Sequence, residues 1–212
     1  MKDDKEKIIK AFAIPVLIVI ICVIIEAFEA ITGFSISSFG ILPRKAEGLY
    51  GLFFSPLLHS GFIHLFANSV PVLILGFALF YFYPETSHKV FLIIYFGTNL
   101  LVWIFARQSY HIGASGIVYG LASFIFFSGI LKKDTRAATL AVLVIFFYGG
   151  MIWGILPLEK GVSWESHLSG GITGFISSII FRKKDKYKKY DWEDEEIEIP
   201  ARELKIRYDG KN

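Results

Sequence analysis

The most restrictive feature of this sequence is a series of six apolar segments, each close to the length that crosses a lipid bilayer. At about 1.5 Å per helical residue, about 20 residues are needed to cross a hydrocarbon core of roughly 30 Å. Hydrophobic residues make up 54% of the 212 residues, which is too apolar for a water-facing surface. We therefore predict an all-α fold, a polytopic membrane bundle of six transmembrane helices near residues 11–31, 63–83, 90–106, 115–131, 137–156 and 167–181.

The distribution of basic residues predicts which way the bundle faces. Six spans put both termini on one side, and only four of the 22 Lys and Arg residues fall on the other, namely Arg44, Lys45, Arg107 and Lys160. By the positive-inside rule both termini are expected to be cytoplasmic, in the plasma (inner) membrane. We divide the chain into a cytoplasmic N-terminal segment (1–10), a six-helix transmembrane domain (11–181) and a charged cytoplasmic tail (182–212).

Charge and cysteine content narrow the possible partners. The formal net charge is +3, and the basic residues occupy the chain ends and short loops, so no surface for nucleic acid is predicted. The single cysteine, Cys22, lies in an apolar run, where we interpret it as a small core or lipid-facing residue. One cysteine cannot form an intrachain disulfide or a cysteine-rich metal site. We predict no metal and no cofactor.

Polar side chains in a membrane-spanning helix are costly, and the first group of them opens the second span. His64 and Asn68 are four residues apart, so on a helix they share one face and can direct hydrogen-bond donors at one point. His59 lies five residues before His64 and falls off that face.

A second polar group stands where a loop enters the fourth span. Gly113 and Gly116 flank Ser115, and small residues there allow a tight backbone and close approach of another chain. Ser115 is expected at a helix N-terminus, where free amides favour developing negative charge. Tyr119 follows one turn later on the same face.

The third polar group opens the last span at His167. Gly170 and Gly174 are four residues apart, as are Gly116 and Gly120 in the fourth span. Two such small-residue faces favour close packing of the two helices, which would bring His167 toward the start of the fourth span.

Together these residues suggest a serine hydrolase. Serine becomes a nucleophile when a base takes its proton, and histidine suits that task near neutral pH. Ser115 and His167 would form a dyad, with His64, Asn68 and the Ser115 amide as oxyanion donors. Glu165, two residues from His167, is expected to point away. Each group alone also fits a packing or hydrogen-bonding role, but all three begin spans on the extracytoplasmic side and so lie at similar depth.

At this point the sequence resembles the rhomboid family of intramembrane serine proteases. The H-x4-H-x3-N run from His59 to Asn68, the G-x-S-G of 113–116 and the H-x2-G-x3-G of 167–174 occur in the family's order, and the resemblance covers roughly residues 11–181. It implies a bundle of six helices around a water-filled cavity that opens to the extracytoplasmic side. It also implies that His167 packs against the ring of Tyr119 and that His59 supports a loop.

The resemblance further implies a substrate class and shows one departure. Expected substrates are single-pass transmembrane proteins with Gly, Pro or other helix-weakening residues near the extracytoplasmic end. The fifth span and the loop of residues 157–164 are the expected moving elements. Many members carry a Trp-Arg pair in the first long loop, where this chain has Tyr50 and Gly51.

Three other functions are considered for the same residues. A channel or transporter would use the same polar residues to line a path. A non-catalytic binder would not need Ser115. A zinc protease is disfavoured because no H-E-x-x-H occurs.

We interpret Glu26 and Glu29 as solvated at the membrane interface, and Thr98 and Asn99 as interhelical hydrogen-bonding residues. The connection of residues 33–62 is expected to lie in the interface.

Overall fold

The computed structural model describes residues 2–158 and 161–186, and this part of the chain is a helical bundle. Within those ranges it contains no β-strand, only an isolated bridge between Ile41 and His111. The predicted all-α membrane bundle is therefore confirmed. The helices are α1 (Lys2–Thr32), α2 (Gly51–Phe54), α3 (Phe62–Phe82), α4 (Ser87–Phe105), α5 (Ser115–Lys132), α6 (Thr135–Tyr148) and α7 (Trp164–Ile180).

Five helical segments of the described chain are long and apolar enough to cross a membrane. They are Asp4–Thr32, Phe62–Phe82, Ser87–Phe105, Ser115–Lys132 and Thr135–Ile155. The last of these joins α6 to a 3-10 segment, Gly149–Ile155. The sixth predicted span corresponds to α7, which has 17 residues. The predicted N-terminal segment is helical from Lys2 and continues directly into the first span, whereas the predicted tail beyond residue 186 lies outside the described residues.

The closest helix pair is α5 with α7, and glycines make the approach possible. A Cβ atom on Gly170 would overlap the carbonyl oxygen of Gly116 and lie 3.0 Å from its carbonyl carbon. One turn on, a Cβ atom on Gly174 would overlap the carbonyl oxygen of Gly120 and lie 2.9 Å from its carbonyl carbon. Ordinary carbon contacts are about 3.5–4.0 Å, so no side chain fits between these backbones. The small-residue faces therefore pair as the spacing predicted.

Helix α4 packs against both α5 and α7 and holds the long connection that follows α1. Thr98 of α4 shares a hydrogen bond of 2.9 Å with Thr173 of α7, so the interhelical interpretation of Thr98 is correct. Three α4 side chains donate to carbonyl oxygens of the connection: Tyr95 to Phe53 (2.5 Å), Asn99 to Leu52 (3.0 Å) and Trp103 to Lys45 (3.0 Å). Residues of α4 thus anchor the loop that contains Tyr50 and Gly51.

Two residues of α1, Cys22 and Glu26, test interpretations made from the sequence. Cys22 is 2% exposed and lies in the core, as expected for a small apolar residue. Glu26 was predicted to be solvated, but it is 6% exposed and its carboxylate faces the backbone amide of Gly61. The prediction was wrong because the end of α1 packs against the segment that leads into α3. Glu29 is half-buried and accepts a hydrogen bond from the amide of Ile36 at 2.7 Å.

Candidate active site

Ser115 is the first residue of α5, directly after a loop with a glycine in an unusual conformation. Gly113 has a φ of +112°, which side-chain-bearing residues rarely adopt. The residue between them, Ala114, caps the helix in the αR conformation. The loop therefore turns sharply and leaves the Ser115 hydroxyl at the helix end, among amides without an intrahelical partner.

The two residues predicted to form a dyad are in contact. The Oγ atom of Ser115 lies 2.9 Å from Nε2 of His167, which is the fourth residue of α7. His167 is 8% exposed and therefore buried. Because α5 and α7 are held together by their paired glycines, the start of one helix places the hydroxyl beside the imidazole at the start of the other.

Two further contacts hold the His167 ring. The ring stacks on Tyr119 with centroids 4.1 Å apart and planes 7° from parallel. Its Nδ1 lies 2.7 Å from the carbonyl oxygen of Gly154, in the 3-10 segment after α6. The Tyr119 hydroxyl in turn donates to the carbonyl oxygen of Met151 in the same segment, at 2.7 Å. The stacking was implied by the family resemblance, whereas the Gly154 contact was not expected.

The two polar residues of α3 lie beside the loop that precedes Ser115. A Cβ atom on Gly113 would lie 2.9 Å from Cε1 of His64, so the imidazole packs directly on the backbone there. The Asn68 side-chain amide donates one hydrogen bond to the carbonyl oxygen of His64 at 3.0 Å. An amide nitrogen carries two hydrogens, so one Asn68 donor remains for the cavity.

His59 supports the loop, as the family resemblance implied. Its Nε2 accepts a hydrogen bond of 3.4 Å from the backbone amide of Ala114, and its ring meets that of His64 edge-on at 5.0 Å. Burial lowers the pKa of His59 to about 4, so near pH 7 the ring is neutral and can accept this bond. His59 is 4% exposed, and it contacts the loop rather than Ser115 itself.

These side chains converge on one cavity. Its volume is about 1070 Å³, and its lining includes His64, Asn68, Ser115, Tyr119 and His167. Across residues 2–158 and 161–186, no group of three or more His, Cys, Asp and Glu side chains could hold a metal ion. The arrangement offers a hydroxyl, a base and hydrogen-bond donors around a space that can hold a chain segment and water.

Sequence reasoning missed a polar network beside the cavity that is centred on His111. This residue is 2% exposed; its Nδ1 lies 2.6 Å from Oγ of Ser163, and its Nε2 lies 3.0 Å from the carbonyl oxygen of Arg107. Burial lowers the pKa of His111, which favours the neutral ring. The only sequence signal was a histidine two residues before the glycine of G-x-S-G. Glu165 forms an ion pair of 3.3 Å with Arg107. Its carboxylate therefore points away from the dyad, as expected.

A family model and several named relatives all point to the same protein family. The sequence model of the Rhomboid domain matches residues 46–184. An uncharacterized protein of Mycobacterium tuberculosis is 30% identical over 172 residues, which cover 77% of this chain and 72% of that protein. RHOMBOID-like protein 4 of Arabidopsis thaliana is 30% identical over 61% of this chain and 33% of its own length. A Bacillus subtilis protein provisionally named a rhomboid protease is 24% identical over 76% of this chain and 78% of its own.

Proposed function

We propose that this chain, which belongs to the rhomboid family, is a serine endopeptidase that hydrolyses peptide bonds in or near transmembrane segments of other membrane proteins. The observation that carries the proposal is the 2.9 Å contact between Ser115 Oγ and His167 Nε2 at the wall of the cavity. A nucleophile and a base within hydrogen-bond reach are the minimum that acyl transfer requires. This chain has both groups, and they are in contact.

In the proposed reaction, Ser115 attacks the carbonyl carbon of the scissile bond while His167 takes the hydroxyl proton. The tetrahedral intermediate collapses when the protonated His167 gives that proton to the leaving amine, which leaves an acyl ester on Ser115. Water from the cavity then attacks the ester, with His167 again as base, and releases the acid product and free enzyme.

The negative oxygen of the tetrahedral intermediate needs hydrogen-bond donors. We assign this role to the backbone amide of Ser115 and to the side chains of His64 and Asn68. The Ser115 amide is at the N-terminus of α5, and the other two side chains line the same cavity from α3. Donors fixed in a low-dielectric site stabilise developing charge more strongly than water does. Gly113 keeps His64 close to the loop because no side chain stands between them.

The proposed substrates are single-pass membrane proteins, since the catalytic residues begin spans and the cavity lies between the helices. A helix hides its carbonyl groups in hydrogen bonds, so cleavage requires a segment weakened by Gly, Pro or similar residues. With both termini cytoplasmic in the plasma membrane, the cavity would open to the extracytoplasmic side. Cleavage is therefore expected near the extracytoplasmic end of the substrate helix.

A channel or transporter would use the same polar residues to line a path. Beyond the cavity, however, the interior is filled by fully buried apolar side chains, among them Leu79, Ile94, Leu121, Phe124 and Ile125. A conducting path requires water or polar groups along its whole length. The packing therefore favours a cavity that is closed at one end, as a protease needs.

Covalent labelling with a fluorophosphonate tests the proposal most directly. Purified wild type in detergent should be labelled and should cleave a single-span test substrate, and both signals should vanish in Ser115→Ala and in His167→Ala. Ser123→Ala is the matched control. Ser123 is on the same helix as Ser115, but its hydroxyl donates a hydrogen bond to the carbonyl oxygen of Gly171 at 2.7 Å. It should label and cleave like the wild type.

The possible results separate the alternatives. A folded wild type that neither labels nor cleaves would contradict the protease and direct attention to transport or binding assays. Cleavage that persists in Ser115→Ala would assign the nucleophile to another residue. Binding of a membrane protein that survives loss of Ser115, without any cleavage by the wild type, would support the non-catalytic binder.

A further inference from the structure

We propose that the backbone carbonyl of Gly154 orients the catalytic base, in the position that a carboxylate takes in a Ser-His-Asp triad. Gly154 is then a positioning residue rather than a catalytic one, because it contacts His167 and not the substrate. The inference rests on the proposed function, since it assigns a role within the same dyad.

The first argument concerns the proton on the His167 ring. A carbonyl oxygen can only accept a hydrogen bond, so the nitrogen 2.7 Å from the Gly154 carbonyl must carry the hydrogen. In a neutral imidazole the other nitrogen then has the free lone pair. That nitrogen is Nε2, which lies 2.9 Å from Ser115 Oγ. The Gly154 carbonyl thus selects the tautomer in which His167 can remove the serine proton.

The second argument concerns the charge that forms during the reaction. When His167 accepts the proton it becomes an imidazolium, and a hydrogen bond from a charged donor is stronger than one from a neutral donor. The Gly154 carbonyl therefore stabilises the charged ring more than the resting ring. The nearby carboxylate of Glu165 does not take this place, because it pairs with Arg107 at 3.3 Å.

The third argument is that the surroundings of Gly154 fix the position of its carbonyl. A Cβ atom on Gly154 would overlap the Tyr119 hydroxyl and lie 3.2 Å from Nδ1 of His167. Only glycine therefore lets the backbone reach the ring. Three residues earlier, the carbonyl of Met151 accepts a hydrogen bond from the same Tyr119 hydroxyl at 2.7 Å. The tyrosine that stacks on the base thus also holds the segment that orients it.

The orienting segment belongs to Thr135–Ile155, which has the smallest buried share of the five candidate spans in the described chain. The buried residues of α6 are Ala137, Leu140 and Ala141, all in its first two turns. Toward the 3-10 segment, Phe146 and Phe147 are 79% and 68% exposed within the bundle. We expected this span to move when substrate binds. Movement of the 3-10 segment by about 1 Å would break a bond of this length and leave the base unoriented. The alignment of the dyad is thereby coupled to the position of α6.

A backbone ester tests the role of the carbonyl without changing a side chain. Replacing Ile155 with its α-hydroxy acid by semisynthesis converts the Gly154–Ile155 amide into an ester, whose carbonyl is a weaker acceptor. The matched control places the same change at Trp153, which also removes one amide N–H of the 3-10 segment but weakens the carbonyl of Ile152 instead. Both proteins are compared with the wild type for thermal unfolding, fluorophosphonate labelling rate, and kcat and KM for a single-span substrate.

The ester at position 155 should lower the labelling rate and kcat about tenfold, because the ester keeps part of its acceptor strength. KM should not change, since substrate binding does not involve Nδ1. The ¹⁵N-coupled Nδ1–H resonance of histidine-labelled protein, assigned by its loss in His167→Ala, should also move to higher field. None of these changes is expected for the ester at position 153.

Two results would overturn the inference: wild-type kinetics for the ester at 155, or equal losses for both esters. Either can occur while the wild type remains an active protease, so the proposed function would stand. An inert but folded wild type would instead contradict the proposed function. In that case an unmoved Nδ1–H resonance would still refute the Gly154 contact.

Discussion

Replacing Gly170 with alanine should separate the two helices that carry the dyad. The new Cβ atom would overlap the carbonyl oxygen of Gly116 and lie 3.0 Å from its carbonyl carbon, where about 3.5–4.0 Å is normal. The obstacle is backbone on a facing helix, so it cannot rotate away. Helix α7 must therefore move from α5 by up to about 1 Å. Gly171 provides the control, because a Cβ atom there meets nothing within 4 Å.

The magnitudes follow from these distances. Overpacking costs about 1–3 kcal/mol, while alanine gains about 1 kcal/mol over glycine inside a helix. Gly171→Ala receives the gain alone, so the two variants should differ in unfolding free energy by about 1–3 kcal/mol. A misplacement of about 1 Å between reacting groups costs about 10²-fold in rate. We therefore expect Gly170→Ala to fold and to lose about 99% of its cleavage rate.

The assay compares three proteins at a temperature where all are folded. Thermal unfolding in detergent reports stability, and the rates of fluorophosphonate labelling and substrate cleavage report the dyad. Gly171→Ala should keep wild-type rates and an equal or higher melting temperature. If Gly170→Ala labels and cleaves as fast as Gly171→Ala, the distance between the α5 and α7 backbones does not control the dyad, and our explanation of the glycine pairs fails.

Three further variants test separate parts of the site. Asn68→Ala should lower kcat about 10²-fold with little change in melting temperature, because one oxyanion donor is lost; an unchanged kcat would remove Asn68 from the oxyanion hole. Tyr119→Phe keeps the stacked ring but loses the bond to the Met151 carbonyl, so kcat should fall several-fold at constant KM; a changed KM alone would contradict this. Thr98→Val and Thr173→Val should show a coupling of about 0.6 kcal/mol in a double-mutant cycle of unfolding, and a value of zero would deny their interhelical bond.

Much of the fold and the dyad contact could be predicted because the membrane restricts what each residue can do. Lipid demands long apolar helices, so the positions of the spans followed from hydropathy. Gly116 and Gly120 are one helical turn apart, and so are Gly170 and Gly174. This spacing marks the faces that can approach closely. Once those faces pair, the residues at the adjoining helix ends must meet.

What could not be predicted depends on tertiary packing that leaves no pattern in the sequence. Every residue has a carbonyl group, so nothing marks Gly154 as the partner of the base until the 3-10 segment is placed. His111 lies in a loop, without the helical spacing that revealed His64 and Asn68. Glu26 occurs at a helix end, where solvation is the usual outcome, yet the chain that follows folds over it.

The packing of α5 against α7 also explains why a neutral carbonyl suits the base of this site. Gly116 lies opposite Gly170, and Gly120 lies opposite Gly174, so the two helices run parallel and begin at the same end of the bundle. Both positive helix ends then face the reaction, which favours the oxyanion but opposes a positive charge on the histidine. A carboxylate beside the histidine would offset this but would be costly to bury at membrane depth. A backbone carbonyl adds partial negative charge at Nδ1 without that desolvation cost. An acidic side chain buried beside His167 in place of this carbonyl should therefore lower the free energy of unfolding by more than it lowers the activation free energy of the reaction.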